Sequence, residues 1–202
     1  MNTSSAGTAL RRAIGRAQRA VFSLSTMHLY ACKLPLCRDD VASPKGVLIS
    51  CVTDTTDSLY GSLCAQFPGR NFEARLHAGN LCFVAHVEGR VVAFAWVAHQ
   101  ALWIDEIELT YPVQRGELFI YDCFVDSAQR GRGIYPALIS AVLQQAEGRH
   151  LALIAAMSSN PASMRGIEKT PFREHSRLRY LRCLGRRRWW SLAPRDVAPA
   201  AA

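Results

Sequence analysis

Arg130, Gly131, Arg132 and Gly133 are the four adjacent residues of this chain with the clearest chemical promise. They stand between an apolar run ending at Phe124 and Val125 and a segment that opens Ile134-Tyr135-Pro136-Ala137-Leu138. Glycine has no Cβ, so the backbone at Gly131 and Gly133 can approach a ligand closely. A helix starting at Ile134 would expose about four unpaired N–H groups and roughly half a positive charge. With two guanidinium groups beside it, such a turn suits phosphate. The plainer reading is a strand-to-helix connection with solvated arginines. Two nucleotide motifs are excluded by spacing. No Lys-Ser or Lys-Thr follows the glycines, as a Walker-type loop requires. A dinucleotide fold would end its next strand on an acid about 20 residues on, and residues 150–156 hold none.

The elements that must position this turn follow from periodicity. Ile134, Leu138, Val142 and Ala146 recur at helical spacing, and Gly148 closes that helix. Leu151–Met157 is a short apolar run suited to a buried strand. Upstream, residues 47–52 read as a strand, Asp57 as a cap for a helix over Ser58–Gln66, and Phe72–His77 as a second short helix. Leu81–Val87 and residues 91–99 flank Glu88-Gly89-Arg90 as a hairpin. Residues 102–109 read as one strand carrying Asp105, Glu106 and Glu108, and Glu117–Val125 as the strand before the turn. Residues 177–183 and 188–192 form a last pair around Gly185. The fold class expected is α/β: a mixed, mostly antiparallel sheet with a parallel pair and flanking helices.

A strand, Arg-Gly-x-Gly-Ile, a helix, a second strand, then Asn160, Ser163, Lys169 and Phe172 resembles the GNAT superfamily of N-acyltransferases, over residues 82–190. The form Arg-Gly-x-Gly-Ile-Tyr-Pro, with residues 163–169, is similar to small bacterial members of cell-envelope or natural-product pathways. The resemblance implies a glycine turn (Arg130, Gly131, Arg132, Gly133, Ile134) binding the pyrophosphate of coenzyme A. It implies a pantetheine arm between two splayed parallel strands, facing the backbone of Cys123, Phe124 and Val125, with Asn160 and Ser163 alongside. Counted from Arg130, the motif puts Tyr135 where the family usually has Gly or Ala; counted from Ala128, both glycines fit and the leading Gln or Arg is lost. Pro171 stands where a glycine usually precedes the phenylalanine. Ile167, seven residues after Asn160, occupies the place of a tyrosine that protonates the departing thiolate.

The implied reaction is acyl transfer from a thioester to an amine. An ammonium of pKa ~10 must lose a proton before it can attack. Asp122 is the favoured base or acceptor anchor, with Tyr121 and Glu117 as further catalytic candidates. In a regular strand Tyr121 and Asp122 would point to opposite faces, so only one could enter the cleft. Each has a plainer reading, Asp122 as a hydrogen-bonded structural carboxylate and Tyr121 as a core aromatic. Cys123 reads as a small core residue and His99 as a surface histidine. The backbone N–H near Val125 would polarise the thioester carbonyl.

Composition is consistent with one domain. The chain has 202 residues, half of them hydrophobic, and a net charge of +8. Seven cysteines at scattered spacings suit a reducing cytoplasm, and no metal site is expected. The basic N-terminal segment is too interrupted by arginine to be a signal peptide. Its residues Leu10, Ile14, Ala17, Val21, Leu24 and His28 lie at helical spacing, and residues 29–43 read as a linker. The expected organisation is therefore 1–43 helix and linker, 44–192 acyltransferase domain, and 193–202 tail. Arginines crowd residues 173–188 beside Trp189 and Trp190. They point to a solvated face or an anionic partner, such as an acidic acyl carrier protein or a membrane surface. Nucleic acid ranks low, for want of a recognition motif. Three functions remain: transfer from acyl-CoA, most simply acetyl-CoA, to a small amine; carrier-protein-dependent long-chain N-acylation; and a non-catalytic CoA- or acyl-binding module. A homodimer is compatible with each.

Overall fold

The computed structural model describes residues 22–35 and 43–192. Ten strands and four α-helices occur among them. In chain order these are β1 (Phe22–Lys33), β2 (Leu48–Val52), α1 (Ser58–Gln66), α2 (Phe72–His77), β3 (Leu81–Val87), β4 (Arg90–Ala98), β5 (Leu102–Ile104), β6 (Leu109–Tyr111), β7 (Glu117–Val125), α3 (Ile134–Gln144), β8 (Leu151–Met157), α4 (Pro161–Glu168), β9 (Arg173–Cys183) and β10 (Arg186–Leu192). Eight strands form one sheet in the order β10-β9-β1-β8-β7-β4-β3-β2, and β5–β6 is a separate ribbon. Every pairing is antiparallel except β7 with β8.

Both faces of the central strands are covered. Beyond Arg90, every residue of β4 is buried, which explains its unbroken apolar sequence. On one face, Ile134, Leu138 and Val142 of α3 and Ile167 of α4 pack against Ala85, Ala93 and Ala95. The opposite face is aromatic. Phe72 of α2 stacks on Trp96 at 5.5 Å and meets Phe94 edge-on at 5.9 Å, with Leu63 of α1 beside them. Asp57 caps α1 as expected, its carboxylate accepting from the Leu59 N–H at 2.8 Å.

Two expectations are corrected here. Phe22–Lys33 is a strand, and it lies inside the sheet between β8 and β9, with Met27 opposite Met157 and Leu178. Leu24 and His28 are four residues apart, which is one helical turn but also two strand repeats, so their spacing cannot separate the two. The sheet therefore includes Phe22–Lys33, and neither the helix nor the linker reading holds over it. The N-terminal positions 10–21, linker residues 36–42 and the tail 193–202 lie outside the described residues. The second correction concerns residues 102–109, which break into β5, a 3₁₀ turn at Asp105–Ile107, and β6. Glu108 takes a left-handed φ of 46° there, which a continuous strand forbids.

A side-chain network ties the three strands around β1. His28 Nδ1 lies 2.8 Å from Glu174 Oε1, and its Nε2 lies 3.0 Å from Ser158 Oγ just past β8. Arg177 grips both oxygens of the Glu174 carboxylate, Nε donating to Oε1 at 2.5 Å and Nη2 to Oε2 at 3.0 Å. The Arg177 guanidinium, helped by His28, holds the Glu174 carboxyl down at about 2.

Candidate active site

The site is made by a pairing that stops. β7 and β8 run in register from Glu117 opposite Leu151 to Ile120 opposite Ile154, and no β7–β8 pair follows among the described residues. Past that point the two strands separate, and a cleft of about 490 Å³ opens between them. Backbone groups along the separated edges are available to an extended amide chain.

A bulge in β7 reorganises the side chains at the mouth. Tyr121 pairs with Trp96 and Phe124 with Phe94, so two residues of β7 face the single Ala95 of β4. Asp122 is the extra residue, with φ of 44°. The alternation expected from the sequence is thereby broken, and Tyr121, Asp122 and Cys123 all line the cleft. Asp122 is occupied by two arginines. Arg70 Nη1 donates to its oxygens at 2.9 and 2.8 Å, and Arg75 Nη1 donates at 2.6 Å. Arg75 is fixed in turn over the rings of Trp96 at 5.1 Å and Tyr121 at 5.3 Å. This carboxylate holds α2 and the Arg70 loop against the bulge.

Tyr121 accepts from Asn80 Nδ2 at 2.9 Å, and burial pushes its hydroxyl up to about 12, so it is a phenol at neutral pH. Glu117 sits at the far end of β7, where the parallel pairing is intact. Its carboxylate accepts from the Gln114 N–H at 3.0 Å, and the residue does not line the cleft. His99 is also outside the cleft. It is half-buried rather than a free surface residue, which lowers its pKa. Cys123 packs toward α3 and α4, and burial pushes its thiol up to about 12, as befits a core residue. Phe124 points to the other face, 4.9 Å from Phe67.

The glycine turn takes a backbone conformation that other residues rarely adopt. Gly131 and Gly133 have φ of 80° and 78°, and a Cβ on either would meet nothing closer than Pro44 Cγ at 4.0 Å. Conformation, not crowding, demands glycine there. Gly133 is the N-cap of α3. No side chain caps the helix and its first turn holds no acid, so its opening N–H groups have no side-chain acceptor. Arg130 Nε donates to the Val125 carbonyl at 3.3 Å, and Arg132 bonds to Gln129 Oε1.

Asn160 N-caps α4, its Oδ1 accepting from the Ser163 N–H at 3.1 Å. Both residues line the cleft, as do Ile167 and Tyr135. Sequence reasoning missed the opposite wall, made by Met27 of β1 and by Trp103, Asp105 and Glu106 of the β5–β6 ribbon. The Trp103 indole is half exposed and donates to Asp105 Oδ1 at 2.7 Å. A Trp-x-Asp-Glu run within one expected strand was the available signal. Arg70, Arg75 and Asn80 had none, because their roles depend on contacts 41 to 52 residues away.

Residues 51–170 match the Acetyltransferase (GNAT) family. Among curated protein sequences, none matches the chain. Similar solved structures include a GCN5-related N-acetyltransferase from Sphaerobacter thermophilus, at TM-score 0.54 and 16% identity over 94% of this chain and 58% of that one. A GNAT-family acetyltransferase from Novosphingobium aromaticivorans matches at TM-score 0.53 and 15% identity, over 78% of this chain and 63% of that one. At such identities the likeness is one of fold. The chain spans about three fifths of the length of these structures. No helix among the described residues is long and apolar enough to cross a membrane.

Proposed function

The chain belongs to the Acetyltransferase (GNAT) family, and on that premise we propose that it moves an acyl group, most simply acetyl, from a coenzyme A thioester to the primary amine of a small molecule. The observation that carries this reading is the end of β7–β8 pairing at Ile120 and Ile154, which leaves a cleft with strand edges unpaired and the α3 N-terminus without a side-chain cap. In this reading Gly131, Gly133 and the first N–H groups of α3 hold the pyrophosphate, with Arg130 and Arg132 supplying charge. The pantetheine amides lie along β7 at Cys123, Phe124 and Val125, and Asn160 and Ser163 face the arm from α4.

The amine enters from the opposite mouth, where Trp103, Asp105 and Glu106 favour a cationic group. There it gives up its proton through water to a carboxylate, and its nitrogen attacks the thioester carbonyl carbon. The C–N bond forms, the C–S bond breaks with its electron pair on sulfur, and the second proton lost by the nitrogen ends on that sulfur. Asp122 contributes by holding the wall through Arg70 and Arg75. Carrier-protein donation is the second reading, favoured by Arg179, Arg186 and Arg188, which have no carboxylate partner among the described residues and share a face of β9–β10 with the exposed Trp190. Cytoplasmic location and contact with a membrane surface remain part of this proposal.

Calorimetry with acetyl-CoA, desulfo-CoA and an acyl carrier protein tests it. Micromolar CoA binding supports the donor site as described. Binding of the carrier alone moves the donor to the second reading. Binding of neither removes the donor site.

A further inference from the structure

We propose that Ser158, His28 and Glu174 form a second acyl-transfer centre, with Ser158 as nucleophile, His28 as its base and Glu174 as the carboxylate that positions the imidazole. Its substrate class is a small acyl ester or thioester, and it stands apart from the glycine turn. His28 is in β1, which lies between β8 and β9 in the sheet, so one ring reaches a neighbour on either side. Ser158 follows the last residue of β8, and Glu174 belongs to β9. Glu174 and Arg177, three residues apart, would face opposite ways in a regular strand. A bulge brings them together: Leu29 pairs with Ser176 and Tyr30 with Glu174, so His175 is the extra residue. That irregularity turns Glu174 to the face of His28.

The distances fit proton transfer. Glu174 Oε1 lies 2.8 Å from His28 Nδ1, and Ser158 Oγ lies 3.0 Å from Nε2. An ionised carboxylate only accepts, so in the neutral ring Nδ1 carries the proton and Nε2 turns its lone pair to the hydroxyl. That is the tautomer a base needs. Arg177 keeps the Glu174 carboxyl at about 2, hence ionised at neutral pH. His28 is 9% exposed whereas Ser158 is open to solvent, so the base is sheltered and the nucleophile reachable. The hydroxyl has a second acceptor, the Thr26 carbonyl at 3.1 Å. Rotation about the Cβ–Oγ bond moves its hydrogen between the two, and only the imidazole can take the proton away. A tie between β1 and β9 is complete with His28, Glu174 and Arg177, and it does not need an exposed hydroxyl on the imidazole. Met157 and Asn160, on either side of Ser158, line the cleft.

In the reaction Ser158 Oγ attacks the acyl carbonyl carbon as its proton passes to His28 Nε2. The bond from that carbon to Oγ forms, the bond to the departing oxygen or sulfur breaks with its electron pair, and His28 returns the proton to the departing atom. Water then attacks the acyl-serine and gives a proton, through the same imidazole, to Ser158 Oγ. The free acid leaves and the serine is restored.

The test uses the whole chain with a fluorophosphonate, p-nitrophenyl acetate and acetyl-CoA. A fluorophosphonate modifies an activated serine and spares ordinary ones. Peptide mass spectrometry is expected to find the phosphonyl group on Ser158 and none on Ser159, its exposed neighbour. His28→Gln should slow labelling roughly a hundredfold. Glu174→Gln should lower the limiting labelling rate and leave the half-saturating probe concentration unchanged, as a positioning residue would. Ser158→Ala, a surface change that keeps the fold, should lose the saturable part of p-nitrophenolate release. Release from p-nitrophenyl acetate alone assigns oxygen esters as the substrates, and release of CoA from acetyl-CoA as well adds thioesters. An unlabelled Ser158, equal labelling of Ser159, labelling indifferent to His28→Gln, or no release above that of Ser158→Ala overturns the centre. CoA calorimetry on the same protein keeps the two sites apart: a chain that labels at Ser158 and binds no CoA loses the donor site and keeps this one.

Discussion

Asp122→Asn separates a structural carboxylate from a catalytic one. Asparagine tolerates the left-handed φ of 44° at this bulge, so the substitution removes charge without straining the backbone. Charge-assisted hydrogen bonds contribute roughly 1.5–3 kcal/mol when sheltered, and exposed pairs about 0–1 kcal/mol. The Arg70 side chain is 40% exposed, which puts its share near the lower range. Arg75 is 30% exposed and held over Trp96, Phe72 and Tyr121, so it cannot turn to water when its partner is lost. Asparagine keeps one acceptor oxygen but turns an amide N–H₂ toward a guanidinium. The expected loss is about 2 kcal/mol, or about 4–8 °C in Tm for a chain of this size. Urea unfolding of Asp122→Asn, Arg75→Met and the double variant should give a coupling of about 1.5 kcal/mol. Turnover with acetyl-CoA and a responsive amine should fall less than tenfold, whereas loss of a general base costs roughly 10²–10⁴. Stability within about 0.5 kcal/mol of wild type, no coupling to Arg75 and a hundredfold slower reaction would refute the structural assignment.

Three further outcomes are expected. Gly133→Ala forces a Cβ into a left-handed N-cap at φ 78°; it should cost about 1 kcal/mol in unfolding free energy and weaken CoA binding about tenfold or more by calorimetry. Gly116→Ala should cost about 1 kcal/mol in urea through its φ of 84°, the exposed His150 ring turning away from the new Cβ, while CoA affinity stays unchanged. Acid unfolding should report Glu174. Its carboxyl is held at about 2 in the folded chain against an ordinary 4.5, so the unfolded chain takes up the proton first as pH falls. The stabilisation is full above pH 4.5 and lost toward pH 2, and Glu174→Gln should flatten stability across that window in pH-jump denaturation.

Much of the architecture was legible where period and punctuation agreed. Ser58–Gln66, Phe72–His77, Leu81–Val87, Glu117–Val125 and Leu151–Met157 all form where the residue pattern places them. Each is bounded by a cap, a glycine or a turn, signals that act within a few residues. β1 was misread because an apolar spacing of four serves helix and strand alike. The β5–β6 ribbon was misread because a 3₁₀ turn leaves little mark on alternation. The bulge at Asp122 was invisible for a different reason. It consists of a mismatch between two strands, and neither strand alone records which residue is extra.

The sequence by itself determined the local chemistry of the glycine turn. Positive φ belongs to glycine, and an uncapped helix start favours anions, whatever surrounds them. It also determined that one crossover joins two parallel strands, since a strand-helix-strand run of this length allows little else. Tertiary structure alone decided which side chains share the cleft. It paired Asp122 with Arg70 and Arg75, and it brought Trp103, Asp105 and Glu106 to the opposite wall. It set the Tyr135 ring against Gly166, beside Ile167 in the cleft wall. Those relations join residues tens of positions apart, and their energies exist only once the sheet has brought the partners within a few ångströms.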